Sequence, residues 1–437
     1  MTNYFEPIDH IVNEVAFEYL GGLYRGPGIL KWRPQKGFKL EAFLQREGPP
    51  PPKEISIPHV FLIKDSDLCS IRLRLWPSGS FAIAPSVPLS AKLGPFDLLA
   101  HGWISINLPH VIFLARTSYS KRDRWIGSAS YRIAGISRFF EPVTHKTLIE
   151  DYEIQSGHTF AGIRVDEKDR IINGLLGEDK KTLELHWSFS RDRFSKKYSW
   201  RWGEAAAEAL SILFGQTVWM VKREMYRDNR SYSEVIKYGD THDLDYLAFF
   251  HPMSITKQQF LEMTDFIARD NPHTQTCHNI FNQMLASSKQ NTRQAQELLI
   301  STVLEAALRT VDNHPFKEGD QSWNIRSSME SFLNQYLTTE WKESCEKALE
   351  ARKRLRHRNA HPDWLYFEGG ALSDEEREKS LDDMIFLSKF YGYMILALVG
   401  FKGIEPKFPK PHKDWDAMIT HTSTETDNNQ ADGDNQF

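Results

Sequence analysis

The chain has few of the residues and segments that mark several large classes of protein. Its 437 residues include three cysteines, Cys69, Cys277 and Cys345, which are far apart and form no Cys-x-x-Cys pair. An odd number of scattered cysteines argues against a disulfide framework and against a cysteine-rich zinc site. The first residues, MTNYFEPIDHIVNE, contain acids and no apolar run, unlike a secretory signal peptide. We therefore expect a protein of the reducing cytoplasm.

A long apolar run and an excess of positive charge are also missing. The most apolar segment, residues 384–400, is short for a membrane span and carries Lys389 near its middle, so it predicts a buried core helix. The formal net charge is −4, so any binding of a polyanion must come from a local patch. The sequence contains no GxGxxG, P-loop or GxSxG motif, which excludes the common signatures of nucleotide-binding and hydrolytic enzymes.

The first half of the chain has the pattern of a β-rich domain. Residues 55–190 contain short runs of Val, Ile, Phe, Trp and Thr, separated by Gly, Pro, Asp and Ser, which predict an antiparallel sandwich or barrel-like domain. Residues 29–44 predict two strands around a turn, and residues 8–20 predict a short helix. The GPPPPK run at 48–53 predicts a loop or linker, because four prolines suit neither a helix nor a central strand.

Helix-forming residues dominate from about residue 203. The predicted helices lie at 203–226, 256–269, 273–288, 291–311, 323–360 and 373–400. The fifth should break near Thr338 and Thr339, where two β-branched residues adjoin. The fold class is therefore α+β, a sandwich-like β-rich domain followed by an all-α bundle. The predicted divisions are a β-rich domain at 1–202, a helical connecting region at 203–271, a helical domain at 272–410 and a disordered acidic tail at 419–437.

A basic cluster stands out at residues 350–366, EARKRLRHRNAHPDWLY. Pro362 disfavours the α conformation at His361, so the helix should end at about Ala360. Cations near a helix C-terminus interact favourably with its partial negative charge. This interaction explains one or two basic residues well, but it explains five less well, because five cations also repel one another. The five are Arg352, Lys353, Arg354, Arg356 and Arg358.

The histidines of this cluster allow two kinds of chemistry. His357 and His361 are spaced to face one side of a helix, with Asp363 nearby, so they could form a metal pair. Most histidine pairs at this spacing bind nothing, and we expect neither a metal nor a cofactor. Arginine suits phosphate because its planar fork donates two hydrogen bonds, and histidine can move protons near neutral pH. Together they supply what metal-independent cleavage of RNA needs.

The run Arg356-His357-Arg358-Asn359-Ala360-His361 resembles the signature of the HEPN superfamily. That signature is an arginine, then Asn, His or Asp, then three residues and a histidine, near the end of the third helix of a small four-helix bundle. The AHP ending and the position late in the chain resemble the Apea-like HEPN branch, whose bundle often follows a β-rich domain. The resemblance covers residues 272–405, and the β-rich part is matched by architecture alone.

The resemblance implies a role for each matching position. His361 is expected to be the catalytic histidine, Arg356 to orient and stabilise the scissile phosphate, and His357 to orient the site in the place often held by asparagine. The family is metal-independent and generally dimeric, and the expected product carries a 2′,3′-cyclic phosphate. Expected contacts to RNA phosphates come from Arg352, Arg354 and Arg358, with Asn359 and Glu305 supporting the site from behind.

The biological role follows from the resemblance alone. The branch is associated with bacterial antiphage and abortive-infection proteins, so we expect cleavage of tRNA or mRNA and a β-rich domain that senses a phage-derived trigger or inhibitor. Two alternatives remain open. The helical domain could be a non-catalytic dimerisation and nucleic-acid-binding scaffold, or a toxin that a partner protein silences.

Three other segments carry candidate groups. Residues 190–202, SRDRFSKKYSWRW, mix basic and aromatic side chains that could clamp single-stranded nucleic acid, but the alternation also fits a strand with buried aromatics, which we favour. A second group lies in a loop-like segment and is expected to be solvated: His242, Asp243 and Asp245. A third lies on a predicted helix and is expected to be buried or hydrogen-bonded: His273, Cys277 and His278.

Overall fold

A computed structural model gives the architecture of the chain. It describes residues 7–19, 22–34, 36–48, 68–77, 81–88, 101–108, 110–116, 124–133, 147–149, 152–154, 159–177, 181–227, 230–236, 239, 242–250, 255–314, 323–360 and 374–401. The chain divides into two compact units, one drawn from residues 1–207 and 217–241 and the other from 208–216 and 242–437. The first is built on a large antiparallel sheet and the second on helices, so the predicted α+β class is confirmed.

The strands belong to the first unit. In chain order, β1 to β8 are Ile8–Tyr19, Gly22–Arg33, Gly37–Glu47, Leu68–Leu75, Phe81–Pro88, His101–Leu108, His110–Arg116 and Arg124–Arg132. Then follow β9 to β15, at Thr147–Ile149, Tyr152–Ile154, Thr159–Asp166, Arg170–Leu176, Thr182–Ser190, Trp219–Arg227 and Arg230–Ile236.

The described strands of the main sheet form one hydrogen-bonded ladder of 13, while β9 and β10 pair separately. Its order is β11-β12-β13-β8-β14-β15-β7-β5-β4-β1-β2-β3-β6. Phe38 of β3 and Phe113 of β7 have ring centroids 6.0 Å apart, although four strands separate β3 from β7 in this order. This short distance shows that the sheet curves. Buried side chains of β1 to β7, including Trp32 and Leu40, fill the concave core. The curvature is of the barrel-like kind.

The helices are α1 to α7, at Lys196–Phe214, Lys257–Ala268, Thr274–Ser288, Arg293–Val311, Ile325–Tyr336, Lys342–Ala360 and Asp374–Val399. Helix α1 contributes residues 196–207 to the first unit and 208–214 to the second. In the second unit, α4 packs against α3, α6 and α7. Helix α7 is buried along most of its length, as predicted for 384–400. Among the described helices, none combines the length and the apolarity needed to cross a membrane.

One predicted helix is wrong and a second is wrong in part. Residues 8–20 form β1 rather than a helix. The register of β1 shifts between Val12 and Val15, so its buried residues depart from strict alternation and mimic a helical spacing. The predicted helix 203–226 ends at Phe214, and 219–226 belong to β14. Gly215 ends α1 with φ 66°, a conformation that favours glycine, so the predicted connecting region contains strands as well as helix.

Other predictions agree with the structure. The segment 29–44 contains the turn between β2 and β3, and the long helical stretch after 323 breaks between Tyr336 and Lys342, close to Thr338 and Thr339. A short 3₁₀ turn, Thr339–Trp341, fills the break. The proline run from Pro49 onward and the tail at 419–437 lie outside the described residues.

Candidate functional site

Helix α6 carries the basic cluster and is anchored by one apolar face. Cys345, Ala348, Ala351 and Leu355 are buried at spacings of three and four, which places them on the side that packs against α4 and α7. The remaining faces carry the arginines. The helix runs to Ala360, as Pro362 predicts, and the expected motif begins one turn before its end.

A single carboxylate organises the arginines on one side of α6. Oε2 of Glu305, on α4, accepts hydrogen bonds from Arg352 Nη2 at 2.5 Å and from Arg356 Nη1 at 2.7 Å. Arg352 and Arg356 are one helical turn apart and so reach the same acceptor. Arg309, one turn further along α4, lies 3.4 Å from Glu305 Oε1. Glu305 therefore does reach the motif helix, and it contacts the arginine that begins the motif.

The cluster is graded in exposure. The side chain of Arg352 is 13% exposed and that of Glu305 is 20% exposed, whereas that of Arg356 is 48% exposed. Burial raises the pKa of the Glu305 carboxyl, but hydrogen bonds and positive charge from Arg352 and Arg356 outweigh it and hold the pKa below its usual range. Three guanidinium groups face one ionised carboxylate, so the cluster keeps a net positive charge with Arg356 as its exposed member.

Arg354 is engaged on a different side of the helix. Its Nε and Nη2 donate to the two carboxylate oxygens of Asp383 on α7, at 2.8 and 2.6 Å. Asp383 is 7% exposed, and its hydrogen bonds raise the pKa of Arg354. This bidentate pair joins α6 to α7 and occupies the planar fork that was expected to hold RNA phosphate.

The expected catalytic histidines differ in what can be described. His357 is exposed on the last turns of α6, next to Arg356. Arg358 and Asn359 are helical, and their side chains, like the whole of His361, lie outside the described residues. The structure thus brings together Glu305, Arg352 and Arg356, and it places His357 at the exposed end of the same helix.

The other sequence candidates of the second unit have structural partners. His273 Nε2 lies 2.9 Å from the Tyr336 hydroxyl, and burial lowers its pKa. His278 Nδ1 lies 2.9 Å from Glu208 Oε1, and this hydrogen bond raises its pKa. Cys277 is buried, which raises its thiol pKa to about 12. These contacts agree with the expected buried or hydrogen-bonded roles.

Metal ligands do not cluster in the part of the chain that the structure describes, where no group of three or more His, Cys, Asp or Glu side chains could hold an ion. His242 and Asp243 are exposed, as expected for the loop-like segment. Asp243 instead forms an isolated backbone bridge with Gln216.

The strand expected at residues 190–202 is wrong, because only Ser190 belongs to a strand. Strand β13 ends at Ser190, and helix α1 begins at Lys196. Tyr198 and Trp202 are buried as expected, but they share a helical face, being four residues apart. The alternation of aromatics at 198, 200 and 202 fits both periods. Positions 200 and 201 lie one helical turn after positions 196 and 197, so Lys196, Lys197, Trp200 and Arg201 share a second helical face. This spacing was the sign of a helix that the sequence offered.

Comparisons of the chain with protein-family models, with curated proteins and with solved structures find no match.

Proposed function

We propose that the second unit is a metal-independent endoribonuclease of the HEPN kind, acting in the cytoplasm in antiphage abortive infection. The observation that carries the proposal is the convergence of Glu305 on Arg352 and Arg356 at the motif end of α6. A structural ion pair needs one arginine. The second, exposed one leaves a cation held at a fixed place, five residues before the expected catalytic histidine in the sequence.

The helical arrangement supports the same proposal. Helices α3, α4, α6 and α7 pack as a group in which α4 contacts the other three, and the motif lies near the end of the third. This corresponds to the position of the motif in the HEPN bundle. Helix α5 then stands as an addition between the second and third helices of the bundle. The resemblance is one of layout and motif, and activity rests on the motif residues themselves.

The proposed reaction is transesterification of RNA. The ribose 2′-oxygen attacks the adjacent phosphorus and loses its proton to a base, and the bond from phosphorus to the 5′-oxygen breaks as that oxygen gains a proton. His361 is proposed to serve one of these proton transfers, with His357 orienting the site. Arg356 stabilises the extra negative charge on the phosphoryl oxygens, and the products are a 2′,3′-cyclic phosphate and a 5′-hydroxyl. No cofactor is required.

A homodimer would complete the site. Two motifs facing one cleft would double the positive charge and attract the RNA strand, which explains why an acidic chain concentrates cations here. Arg352 and Arg354 would then position the helix through their ion pairs with Glu305 and Asp383. Arg356, which also pairs with Glu305 but is more exposed than Arg352, would supply charge to the groove together with Lys353 and Arg358.

The test is cleavage of a mixed tRNA and mRNA pool by the purified full chain in EDTA. We expect cyclic-phosphate ends from the native protein and none from Arg356→Ala or His361→Ala. Arg326→Ala is the matched control, because it removes an exposed arginine that pairs with Glu346 in the same unit. Cleavage that persists in His361→Ala, or that is lost equally in Arg326→Ala, would exclude this mechanism. A native protein that stays inactive even with phage-infected lysate would also exclude it.

One observation favours a non-catalytic alternative. Arg352, Arg354 and Arg356 all have carboxylate partners within the chain, as expected if the cluster mainly fixes α6 in a dimerisation or RNA-binding scaffold. That scaffold would bind RNA without cutting it, and its affinity would survive His361→Ala. A filter-binding assay run beside the cleavage assay separates the two functions.

A further inference from the structure

A pocket of about 550 Å³ lies in the first unit, beside the N-terminal end of α1 and strands β8, β14 and β15. Small-molecule sites in proteins have volumes of roughly 300–1,000 Å³. The pocket is therefore large enough for a ligand of the size of a metabolite. Its lining consists of Trp125, Lys196, Lys197, Trp200, Arg201, Met225 and Tyr232.

One face of α1 forms much of the wall. Positions 196 and 197 are adjacent, and positions 200 and 201 lie one helical turn later. One side of the helix therefore carries Lys196, Lys197, Trp200 and Arg201. The opposite side holds Tyr198 and Trp202, at 7% and 0% exposure, and both rings make edge-to-face contacts with Phe189. The helix is thus fixed by one set of aromatics and presents a different, basic-aromatic set to the pocket.

The aromatic walls are held in place from behind. The guanidinium of Arg223 lies 3.9 Å from the centroid of the Trp200 ring and donates to the Trp200 carbonyl at 2.9 Å. Arg223 is itself buried and bonded to Glu234. On the other side, Trp125 Nε1 donates to the Phe194 carbonyl at 3.2 Å. Both indoles are therefore oriented before any ligand arrives, which lowers the entropic cost of binding.

The cations of the pocket are not explained by the stability of α1. Lys196 and Lys197 occupy its first turn, where no acidic residue is present, although the helix N-terminus carries partial positive charge. Ser195 caps this end, its Oγ accepting from the Tyr198 amide at 3.1 Å. Two exposed lysines at such a position weaken the helix and strengthen attraction for an anion. No acidic side chain is among the described residues that line the pocket.

We propose that this pocket binds a nucleotide, with its base against the rings of Trp125, Trp200 and Tyr232 and its phosphates on Lys196, Lys197 and Arg201. Aromatic faces stack on any nucleobase, and the lysines and arginine that α1 contributes to the wall match the phosphate charge. Charge complementarity and flat apolar walls together favour this class over an inorganic anion, which needs no rings. The nucleotide can be free or can be the terminal residue of an RNA strand. The proposal stands whether or not the second unit cuts RNA.

Calorimetry on the full chain in EDTA tests it with four probes, namely ATP, adenosine, tripolyphosphate and a 5′-phosphorylated oligoadenylate. We expect ATP to bind at least about tenfold more tightly than adenosine or tripolyphosphate, because each of these retains half of the contacts. Tighter binding of the oligoadenylate than of ATP would assign the site to an RNA end, and tighter binding of ATP would assign it to a free nucleotide. Both orders support nucleotide recognition.

Variants separate the two halves of the site. Lys196→Ala with Lys197→Ala should weaken ATP at least about tenfold and leave adenosine unchanged, since only phosphate contacts are lost. Lys36→Ala with Lys168→Ala is the matched control, because it removes two exposed lysines of the same unit that do not line the pocket. Tyr232→Leu should weaken both ATP and adenosine, and Tyr232→Phe should restore them, which a merely unfolded variant would not do.

Three results would overturn the proposal. The first is no ATP or oligoadenylate binding at millimolar concentration, and the second is tripolyphosphate binding as tightly as ATP. The third is equal loss of ATP affinity in the Lys36 and Lys168 control. Thermal melts of each variant establish that the chain is folded in every comparison.

Discussion

Glu305 and Arg356 are joined by a 2.7 Å hydrogen bond that links the upstream helix α4 to the exposed end of α6. The same carboxylate oxygen also accepts from Arg352, the less exposed of the two arginines. The contact therefore has a structural half, at Arg352, and a half at Arg356 that is open to solvent.

Replacing Glu305 by glutamine tests the structural half. The variant leaves Arg352 largely buried without its charged acceptor, so we expect the free energy of unfolding to fall by about 1–3 kcal/mol. Glu346→Gln is the control, because the Arg326–Glu346 pair is exposed on both sides and should cost no more than about 0.5 kcal/mol. Urea denaturation of both variants gives the comparison, and equal costs would contradict the argument.

Arg356→Lys tests the half that faces solvent. Lysine keeps the charge but cannot bond Glu305 and fork onto a phosphate together, so we expect cleavage to slow by about 10- to 100-fold while stability changes little. The measurement is the rate of cyclic-phosphate formation under single-turnover conditions. Arg326→Lys should retain the native rate. An unchanged rate in Arg356→Lys would show that charge alone suffices.

Lys389 predicts a pH dependence of stability. It is fully buried on α7, donates to the Ala248 carbonyl, and has a pKa that burial lowers to about 7. Between that value and 10.5 the unfolded chain holds a proton that the folded chain lacks, so stability rises with pH across this window. The slope from Lys389 is at most about 1.4 kcal/mol per pH unit.

The measurement is urea unfolding between pH 7.5 and 9.5 for the native protein and Lys389→Met. We expect the native curve to climb relative to the variant, with the gap in slope marking Lys389. Lys379→Met, at an exposed position of the same helix, controls for the loss of one lysine. Parallel curves for the native protein and Lys389→Met would mean that Lys389 stays protonated when folded.

Gly392→Ala reverses the usual sign of a glycine-to-alanine change in a helix. Alanine favours helix by about 1 kcal/mol, but a Cβ at 392 would lie 2.9 Å from the Cβ of Phe249 and 3.1 Å from the Phe250 ring. We expect a net loss of about 1–3 kcal/mol, because packed neighbours must shift. Thermal unfolding measures it. A variant more stable than the native protein would show that the 249–250 segment yields easily.

Local patterns predicted some elements well and misled at others. Proline at 362 and the β-branched pair at 338–339 set the ends of α5 and α6, since these residues act on their own backbone. The bulge between Val12 and Val15 could not be predicted from the sequence, because it depends on the pairing of β1 with β2. Residues 190–202 offered two periods at once, and only the packing of Trp202 on Trp187 decides for the helix.

The candidate site divides in the same way. The motif at Arg356 and His357 could be read from neighbouring residues, and the reach of Glu305 could be anticipated from helix order. The partner of Arg354 could not, because Asp383 is one of several acids early in α7 and only the packing of α6 on α7 selects it. The predicted role treated Arg354 as an isolated cation, whereas its ion pair with Asp383 connects α6 to α7.

The two-faced start of α1 restricts how its pocket can change. Each residue of an α-helix turns the chain by about 100°, so inserting or deleting one residue between 196 and 202 would swing the ligand-facing side chains toward the core and the core rings toward the opening. Ligand preference can therefore drift by substitution at 196, 197, 200 or 201 while the length of this segment stays fixed. Among related chains, we expect substitutions in this segment but no insertions or deletions.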